Sequence, residues 1–217
     1  MMKRLTMVAM IFLSFVAVVS AQKVTDKKAK DLLDATSAKI QSYKTIKIDF
    51  TFTEAEDNKE GPSRKGRVWV KGNKYQLRFA GQEVFCDGKT KWTYIKDAEE
   101  VHITNVKDDD DDLANPINLL KNYQRRFTAR WIKDETYKGK KTEVVDLYPK
   151  KTKGYHRVRI RVEKSSKQIV STTIYHVNNS SQTIHVDKFV VNEPISDNYF
   201  KWDKKKYPNV EEIDLRK

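Results

Sequence analysis

The sequence predicts a mainly β (α+β) fold, in which one antiparallel sheet is covered by two helices. Apolar and polar side chains alternate in many short runs from Ile46 onward, polar turns separate these runs, and helical periodicity occurs in two places. The alternation predicts roughly eleven strands. Their short connections leave no room for the crossover helices of a parallel sheet, and an antiparallel sheet of this length should curl into a barrel or fold into a sandwich.

The first helix is predicted at residues 25–43. Thr25 and Asp26 are both suitable N-cap residues. Side chains that would form one apolar stripe recur at spacings of three and four, at Ala29, Leu32, Leu33, Thr36, Ile40 and Tyr43. An amphipathic helix of this kind needs another element on which to lay its stripe.

Each predicted strand has one polar face and one apolar face. Residues 46–53 alternate apolar with polar side chains, and residues 157–162 alternate Arg with Val or Ile. Polar pairs such as Gly72-Asn73 and Asn178-Asn179 stand where a hairpin would reverse. The alternation separates two faces, but it does not say which one points inward.

A second helix is predicted inside the strand region. An acidic run at residues 108–112 is followed by Pro116 and then by Leu119 and Leu120, which is typical of a short helix with Pro in its first turn. This helix would cover the sheet as a lid or fill its core as a plug. The acidic run lacks the alternating ligands and the Gly of a calcium loop, which favours a solvated loop.

The first residues predict export from the cytoplasm. A basic start, an uncharged apolar run and small residues ending at Ala21 are typical of a cleaved signal peptide over residues 1–21, which leaves residues 22–217 as a single domain. A membrane anchor is the alternative, although the apolar run is barely long enough to span a bilayer. The net charge of +13 suits contact with anionic lipid head groups, or simply a soluble surface.

The sequence shows no arrangement of residues that is typical of catalysis. It has no nucleophile elbow, no zinc-protease helix and no phosphate-binding glycine loop, so we expect a protein that is not an enzyme and needs no cofactor. His176 and His185 flank a predicted turn, but two ligands without a third make a poor metal site. Cys86 is the single cysteine, and we expect it to be a buried small hydrophobe, with a reactive thiol as the alternative.

Several segments resemble the periplasmic lipoprotein carrier family, LolA, and they occur in the family's order over nearly all of residues 22–217. The strongest is the turn and strand Asp-Gly-Lys-Thr-Lys-Trp-Thr-Tyr at residues 87–94. Weaker similarities are the strand Gly-Arg-Val-Trp-Val-Lys at 66–71, the lid segment at 115–120, Leu-Tyr-Pro at 147–149 and the closing segment at 210–216. Each is modest alone, and together they are fairly specific.

The resemblance implies an unclosed antiparallel β-barrel whose concave apolar face is covered by the N-terminal helix and a short inserted lid helix. It further implies a periplasmic carrier that takes acylated lipoproteins from an inner-membrane release complex to an outer-membrane acceptor. Apart from the resemblance, we expect a monomer without a nucleic acid partner. The acceptor is itself a lipoprotein, and the residue directly after Ala21 is Gln22 rather than the cysteine that would be acylated, which favours the carrier. The alternatives are a binding protein for another lipid or glycolipid on the same fold, and an envelope interaction protein that binds no ligand.

We expect the lid and the sheet to share the lining of an apolar cavity. The predicted lining residues are Leu32, Leu33, Phe50, Phe52, Trp69, Leu77, Phe79, Trp92, Tyr94, Leu119 and Leu120. One departure from the family affects the lid: the family has an Arg directly after its Trp-Val-Lys strand, where this sequence has Gly72. Arg64 and Arg78 are the candidates to replace that Arg.

Overall fold

The computed structural model describes residues 25–57, 59–106, 119–120, 123–151 and 153–216. The predicted signal peptide, the acidic run at 108–112 and Pro116 lie outside the described residues. Among the described residues, no helix is long and apolar enough to cross a membrane.

The described part of the chain is built mainly from strands. One helix, α1 (Lys27–Gln41), precedes them, and a short helix, α2 (Tyr123–Arg126), interrupts them; Leu119 and Leu120 are also helical. The strands are β1 (Ile46–Glu56), β2 (Lys59–Glu60), β3 (Arg64–Lys71), β4 (Lys74–Phe79), β5 (Gln82–Cys86), β6 (Thr90–Ile95), β7 (Glu100–Asn105), β8 (Phe127–Tyr137), β9 (Lys140–Pro149), β10 (Tyr155–Glu163), β11 (Ile169–His176), β12 (Ser180–Val191) and β13 (Glu211–Asp214). Short 3-10 helices occupy Lys96–Ala98, Asp197–Phe200 and Lys204–Lys206.

All of these strands belong to one sheet. Their order is β13-β7-β6-β5-β4-β3-β1-β12-β11-β10-β9-β8, with β2 paired to the end of β1. Strands β13 and β8 form the two edges, so the barrel is unclosed, and the predicted fold class is confirmed. Pairing is antiparallel except between β13 and β7, which are parallel. The additional strands β2 and β13 have two and four residues, too few for the alternation to reveal.

Strand β10 shows how the alternation builds the sheet. Val158, Ile160 and Val162 are fully buried on one face, while the intervening arginines point to the other. Arg159 donates a hydrogen bond from Nε to Asp146 Oδ1 on the neighbouring strand β9, over 2.7 Å. Because Asp146 is itself buried, this pairing supplies the partner that a buried carboxylate needs.

Helix α1 is fastened to the edge strand β8 at its first residues. The carboxylate of Asp26 caps the helix by accepting from the backbone N–H of Ala29 at 2.6 Å, and it also accepts from the N–H of Trp131 at 2.6 Å. Thr25 Oγ1 accepts from the N–H of Ala129 at 3.1 Å. The same contacts therefore begin the helix, cover part of a sheet edge and direct the apolar stripe of α1 onto the concave face.

The buried stripe of α1 joins the main core. That core combines residues of α1 with the inner faces of β1, β3, β9, β10 and β11, and with Leu119, Leu120 and Tyr123. Leu32 and Leu33 are 5% and 0% exposed. Burial of each leucine stabilises the covered state by about 1.5–3 kcal/mol.

The other face of strands β3–β7 is covered by the chain's last part, residues 197–214, which we call the C-terminal strap. The rings of Trp202 and Tyr207 in the strap stack with centroids 4.3 Å apart, and both contact Tyr94 on β6. Tyr199 contacts Trp69 on β3. We call the rings brought together on this face the outer aromatic cluster: Trp69, Phe85, Tyr94, Tyr199, Trp202 and Tyr207.

Candidate functional site

An apolar cavity of about 440 Å³ lies on the concave face of the sheet. Its volume is within the range of small-molecule binding pockets. Most of its wall is aliphatic or phenylalanine side chain, with three polar residues and one tyrosine. The lining residues are Ile40, Ile46, Ile48, Phe50, Phe52, Val68, Leu77, Phe79, Leu119, Tyr155, Ile169, Thr172, Ile174, His176, Gln182, Ile184, Val186 and Phe189.

The first strand supplies the centre of the cavity wall. Strand β1 lies between β3 and β12, and its apolar residues from Ile46 to Phe52 all face the cavity. Phe50 is paired with Val186 and Phe52 with Ile184 on β12. The register shifts at Asp49/Phe50 because Asp187 is an extra residue in β12, and this bulge lets both Phe189 and Val186 of β12 face the cavity.

A glycine beneath the cavity wall makes room for Phe50. Gly66 on β3 is paired with Phe50 on β1, and the ring of Phe50 lies where a Cβ of residue 66 would be. Any side chain at this position must therefore displace the ring. Gly66 is the first residue of the segment Gly-Arg-Val-Trp-Val-Lys. A glycine at this position shapes the cavity because it leaves space for the Phe50 ring.

One end of the cavity is closed by aromatic and aliphatic side chains. Tyr43, just after α1, and Phe189 on β12 lie with ring centroids 5.9 Å apart, next to Ile40. Gln168 donates a hydrogen bond to the Tyr43 hydroxyl over 3.3 Å. This end is therefore lined mainly by apolar side chains.

The opposite end has a charged rim. Arg64, at the start of β3, stacks over the rings of Phe52 and Phe79 at 5.3 and 5.6 Å. Its Nη2 lies 2.7 Å from Glu54 Oε2, and Gln182 donates to the other oxygen of Glu54 at 3.2 Å. Because the side chains of Arg64 and Glu54 are 47% and 50% exposed, this rim is open to solvent.

Two covering elements are joined by one carboxylate, Asp34, in a group that we call the lid clasp. Asp34 on α1 accepts hydrogen bonds from the Tyr123 hydroxyl at 3.0 Å and from Gln124 at 3.2 Å, both on α2, and pairs with Lys30 on its own helix. Burial alone would raise the pKa of Asp34, but hydrogen bonds from Lys30 and Tyr123 outweigh it and leave the pKa below its usual value. Burial raises the pKa of Tyr123 to about 12, so this hydroxyl remains a donor.

The carbonyl oxygen of Leu119 accepts a hydrogen bond from Arg126 Nη2 at 2.9 Å. This contact positions the helical residue Leu119, which is 1% exposed, over the cavity. Two separate segments of the chain, around α1 and around Leu119, therefore cover the concave face together.

The structure brings five of the predicted lining residues together in the cavity wall: Phe50, Phe52, Leu77, Phe79 and Leu119. Leu32, Leu33 and Leu120 are buried in the adjoining core rather than in the wall, because α1 and the second segment pack them against other side chains. Whether any of these residues contacts a ligand stays a prediction.

The placement predicted for Trp69, Trp92 and Tyr94 is wrong. Val68 and Val70 occupy the inner face of β3, so Trp69 between them points outward to Tyr199. Trp92 is paired with Phe85 and Tyr94 contacts Trp202, which places both rings on the strap side of the sheet. The C-terminal strap covers this second face, so apolar side chains can be buried there too. The strap lies more than a hundred residues further along the chain, and the alternation within β3 and β6 gives no sign of it.

Several wall residues were missed from sequence, among them Ile184, Val186 and Phe189 on β12. The signal for them was present in the alternation of β12, but the choice of face in one strand depends on its neighbours in the sheet order. Polar wall residues, His176 and Gln182, had no signal because a lone polar residue in a strand is usually at the surface.

Other sequence expectations are settled by the orientation of single side chains. His185 points away from the cavity toward Tyr137, whereas His176 lines it, so these two do not form a metal pair. Burial lowers the pKa of His185. No cluster of three or more His, Cys, Asp or Glu that could hold a metal ion occurs in the described part of the chain.

The two arginines considered as replacements at the Gly72 position lie on different faces. Gly72 itself forms the β3–β4 turn with φ +59°, a conformation that suits Gly. Arg78 points outward, 5.3 Å from the Trp69 ring and paired with Glu83, whereas Arg64 is at the cavity rim. Of the two, only Arg64 is placed to affect the cavity.

A family model described as outer membrane lipoprotein carrier protein LolA matches residues 41–203. A search of the curated proteins found no match. Among solved structures, an uncharacterized conserved protein from Thermus thermophilus is similar at a TM-score of 0.61 and 9% identity, over 88% of this chain and 100% of that one. This likeness shows the shared fold.

Two further solved structures have lower TM-scores. A LolA superfamily protein from Nitrosomonas europaea is 12% identical, with a TM-score of 0.44 over 80% of this chain and 97% of that one. Lipoprotein LppX from Mycobacterium tuberculosis is 14% identical, with a TM-score of 0.44 over 77% of this chain and 98% of that one.

Proposed function

Since the chain belongs to the LolA family of outer membrane lipoprotein carrier proteins, we propose that it is a periplasmic carrier of acylated lipoproteins. It holds acyl chains in the apolar cavity and delivers the lipoprotein from the inner to the outer membrane. The observation that carries this proposal is the cavity of about 440 Å³ on the concave face, with an almost wholly apolar wall beneath two covering segments.

The expected affinity follows from the chemistry of the wall. Transfer of an acyl chain from water contributes about 0.8 kcal/mol per buried CH₂. Roughly ten buried CH₂ groups would therefore give a dissociation constant near 1 μM, before the cost of moving the cover is counted. That strength suits a carrier, which must hold its cargo in water and still release it to an acceptor.

The covers supply a route for entry and release. The lid clasp joins α1 and α2 through a few polar contacts around the partly exposed Asp34. Such contacts contribute about 1 kcal/mol each, so the clasp adds only a few kcal/mol to the cost of opening. The leucines buried by α1 add about 1.5–3 kcal/mol each, a cost that burial of an acyl chain in their place offsets. The lid, which is formed by α1 and by the segment that contains Leu119 and α2, therefore opens for exchange and closes over bound acyl chains.

The same proposal includes a location, partners and the absence of catalysis. The predicted signal peptide at residues 1–21 supports the periplasm. The partners would be an inner-membrane release complex and an outer-membrane acceptor, as the sequence resemblance to the family implies. Among the described residues, the cavity wall holds a histidine, a glutamine and a threonine but no carboxylate, cysteine or lysine. This supports a binding protein rather than an enzyme.

Native mass spectrometry of the protein purified from its own envelope tests the proposal directly. We expect a one-to-one complex with an acylated peptide or lipoprotein, identified by denaturing lipid analysis of the same sample. If a free lipid or glycolipid is found instead, the protein binds another ligand on the same fold and is not a lipoprotein carrier. An empty protein that also fails to bind added lipoprotein would contradict the carrier function.

A transfer assay separates delivery from binding. Loaded protein is mixed with outer-membrane vesicles, and the lipoprotein that sediments with the vesicles is measured. Transfer supports the carrier role, whereas stable binding without transfer would leave a lipid-binding protein that does not deliver. Inner-membrane vesicles as recipients provide the matched control.

A further inference from the structure

The polar end of the cavity contains a hydrogen-bonding atom that the protein leaves unused. His176, at the end of β11, lines the cavity beside Gln182, near the start of β12. Gln182 is paired with Ile174, two residues before His176, so the two polar side chains are diagonal neighbours on adjacent strands. Gln182 adjoins the charged rim formed by Arg64 and Glu54.

The contacts of His176 define which of its ring nitrogens carries the proton. Nδ1 lies 3.3 Å from the carbonyl oxygen of Gly154. A carbonyl oxygen accepts hydrogen bonds and cannot donate, so Nδ1 is the protonated nitrogen of the neutral ring. Nε2 is then an acceptor.

This acceptor is buried without a partner. Nε2 of His176 is inaccessible to solvent and makes no hydrogen bond. A buried polar atom without a partner costs about 1–3 kcal/mol. His176 belongs to the cavity wall, so a ligand that moves the atoms covering Nε2 aside supplies the missing group. The missing group must be a donor.

Gln182 offers the complementary chemistry. Its Nε2 donates one hydrogen bond to Glu54, which Arg64 holds in place. A carboxamide has two N–H groups, so a second donor remains for a ligand carbonyl. An acceptor on His176 and a donor on Gln182 together match the N–H and C=O of an amide.

We propose that this polar end recognises an amide at the head of a bound acyl chain, with His176 Nε2 accepting from the amide N–H. The chain then extends along β12 from Gln182 toward Phe189, a distance of about 20 Å. The cavity consequently prefers amide-linked acyl chains to ester-linked chains of the same length. This inference rests on the proposed function, because it assigns the class of ligand that the same cavity takes.

Three ligands of equal chain length test the inference with the unaltered protein. N-methyldodecanamide has an amide N–H, whereas N,N-dimethyldodecanamide and methyl dodecanoate have none. Each would displace a fluorescent fatty-chain probe from the full-length mature protein at pH 8. We expect N-methyldodecanamide to bind about three- to tenfold more tightly than the dimethyl amide.

A histidine variant locates the effect. His176→Phe should abolish the preference for the amide N–H, measured within that variant as the ratio of the affinities for N-methyldodecanamide and N,N-dimethyldodecanamide. His156→Phe is the matched control, because His156 is exposed and contacts Tyr175 rather than the cavity. It should keep the preference.

The outcomes distinguish this inference from the proposed function. Equal affinity for the three ligands in the unaltered protein would overturn the amide preference and leave the acyl-binding cavity intact. The same follows if His176→Phe retains the preference. Failure of every ligand to displace the probe would remove both the inference and the proposed function.

Discussion

The two faces of the β3–β7 half of the sheet are both apolar, but they are covered in different ways. The outer face is covered by the C-terminal strap, whose rings pack directly on the sheet and whose strand β13 extends it. On the concave face, α1 and Leu119 leave a cavity of about 440 Å³ beneath them, whose wall takes Val68, Leu77 and Phe79 from β3 and β4 and continues onto β1, β12 and β11. A close-packed cover contributes stability, whereas a cover over empty apolar space leaves room for a ligand.

The strap is also held to the sheet more strongly than the two segments over the cavity are held to each other. The strap is held by stacked and edge-on rings and by the β13–β7 pairing. The two segments over the cavity are connected to each other through the lid clasp, whose Asp34 is partly exposed. We expect the strap to remain closed while the lid opens, and the following changes test this contrast from the largest effect to the smallest.

Phe200 should be the most sensitive residue of the outer cover. It lies in the strap, is fully buried and contacts Tyr199. Phe200→Ala should lower the free energy of unfolding by about 3–5 kcal/mol, because it leaves a cavity in a close-packed cluster. Chemical denaturation measures the loss, and probe affinity should stay within about twofold at temperatures where the variant is folded. A large loss of affinity in the folded variant would show that the two faces are coupled.

A change at Ile184, on the concave face, should affect probe affinity, whereas the change at Phe200 affects stability. Ile184→Asp places a carboxylate in the cavity wall, which should weaken binding of an acyl probe at least about a hundredfold. Thr183→Asp is the matched control, because Thr183 points to the other face and contacts Thr173. Probe titration compares the two variants. Equal weakening by both would mean that the cavity is not where the probe binds.

The contrast between the faces also explains what could be predicted from sequence. The strands, the antiparallel sheet and helix α1 follow from local periodicity, and residues such as Val158 and Ile160 are buried as alternation requires. Trp69 and Trp92 were placed on the wrong face because both faces of their strands are apolar. The strap that covers them is distant in sequence, so only the assembled sheet distinguishes wall from outer cluster.

The polar features of the cavity were hidden for a related reason. His176 and Gln182 are ordinary strand residues in sequence, and their position in the wall depends on the β11–β12 register and on the curl of the sheet. Gly66 is similar: an isolated Gly in a strand indicates a close approach, but the partner, Phe50, is defined by the β1–β3 pairing.

Gly66→Ala tests how closely the wall is shaped. The added Cβ must push the Phe50 ring, and movement into the cavity should weaken acyl-probe binding by about three- to tenfold. Phe50→Leu in the same chain should restore most of the affinity, because leucine lacks the part of the ring that would clash. A double-mutant cycle on probe binding measures this coupling. Additive losses would show that Gly66 acts elsewhere.

Asp34→Asn should have the smallest effect, and it tests the lid clasp. The carboxylate is 41% exposed, so solvent screens its contacts, and the loss in stability should be below about 1 kcal/mol. Hydrogen exchange should nevertheless rise in α1 and α2 while exchange in β13 is unchanged. Ser37→Ala, on the exposed side of α1, is the matched control.

The pH dependence of the lid has a definite sign. The pKa of Asp34 is lowered in the folded protein, so its stabilising effect is complete above the unfolded value near 4 and is lost as pH falls through the lower folded value. The protection of the α1 amides, taken relative to the intrinsic exchange rate at each pH, should therefore fall in acid in the unaltered protein, and it should fall less in Asp34→Asn. In β13, hydrogen bonds from Arg216 lower the pKa of Asp214 to about 2, so protection there should fall at lower pH than in α1. A parallel acid-induced loss of protection in α1 and β13 would mean that the whole sheet loosens, and that the lid is not the separately opening cover.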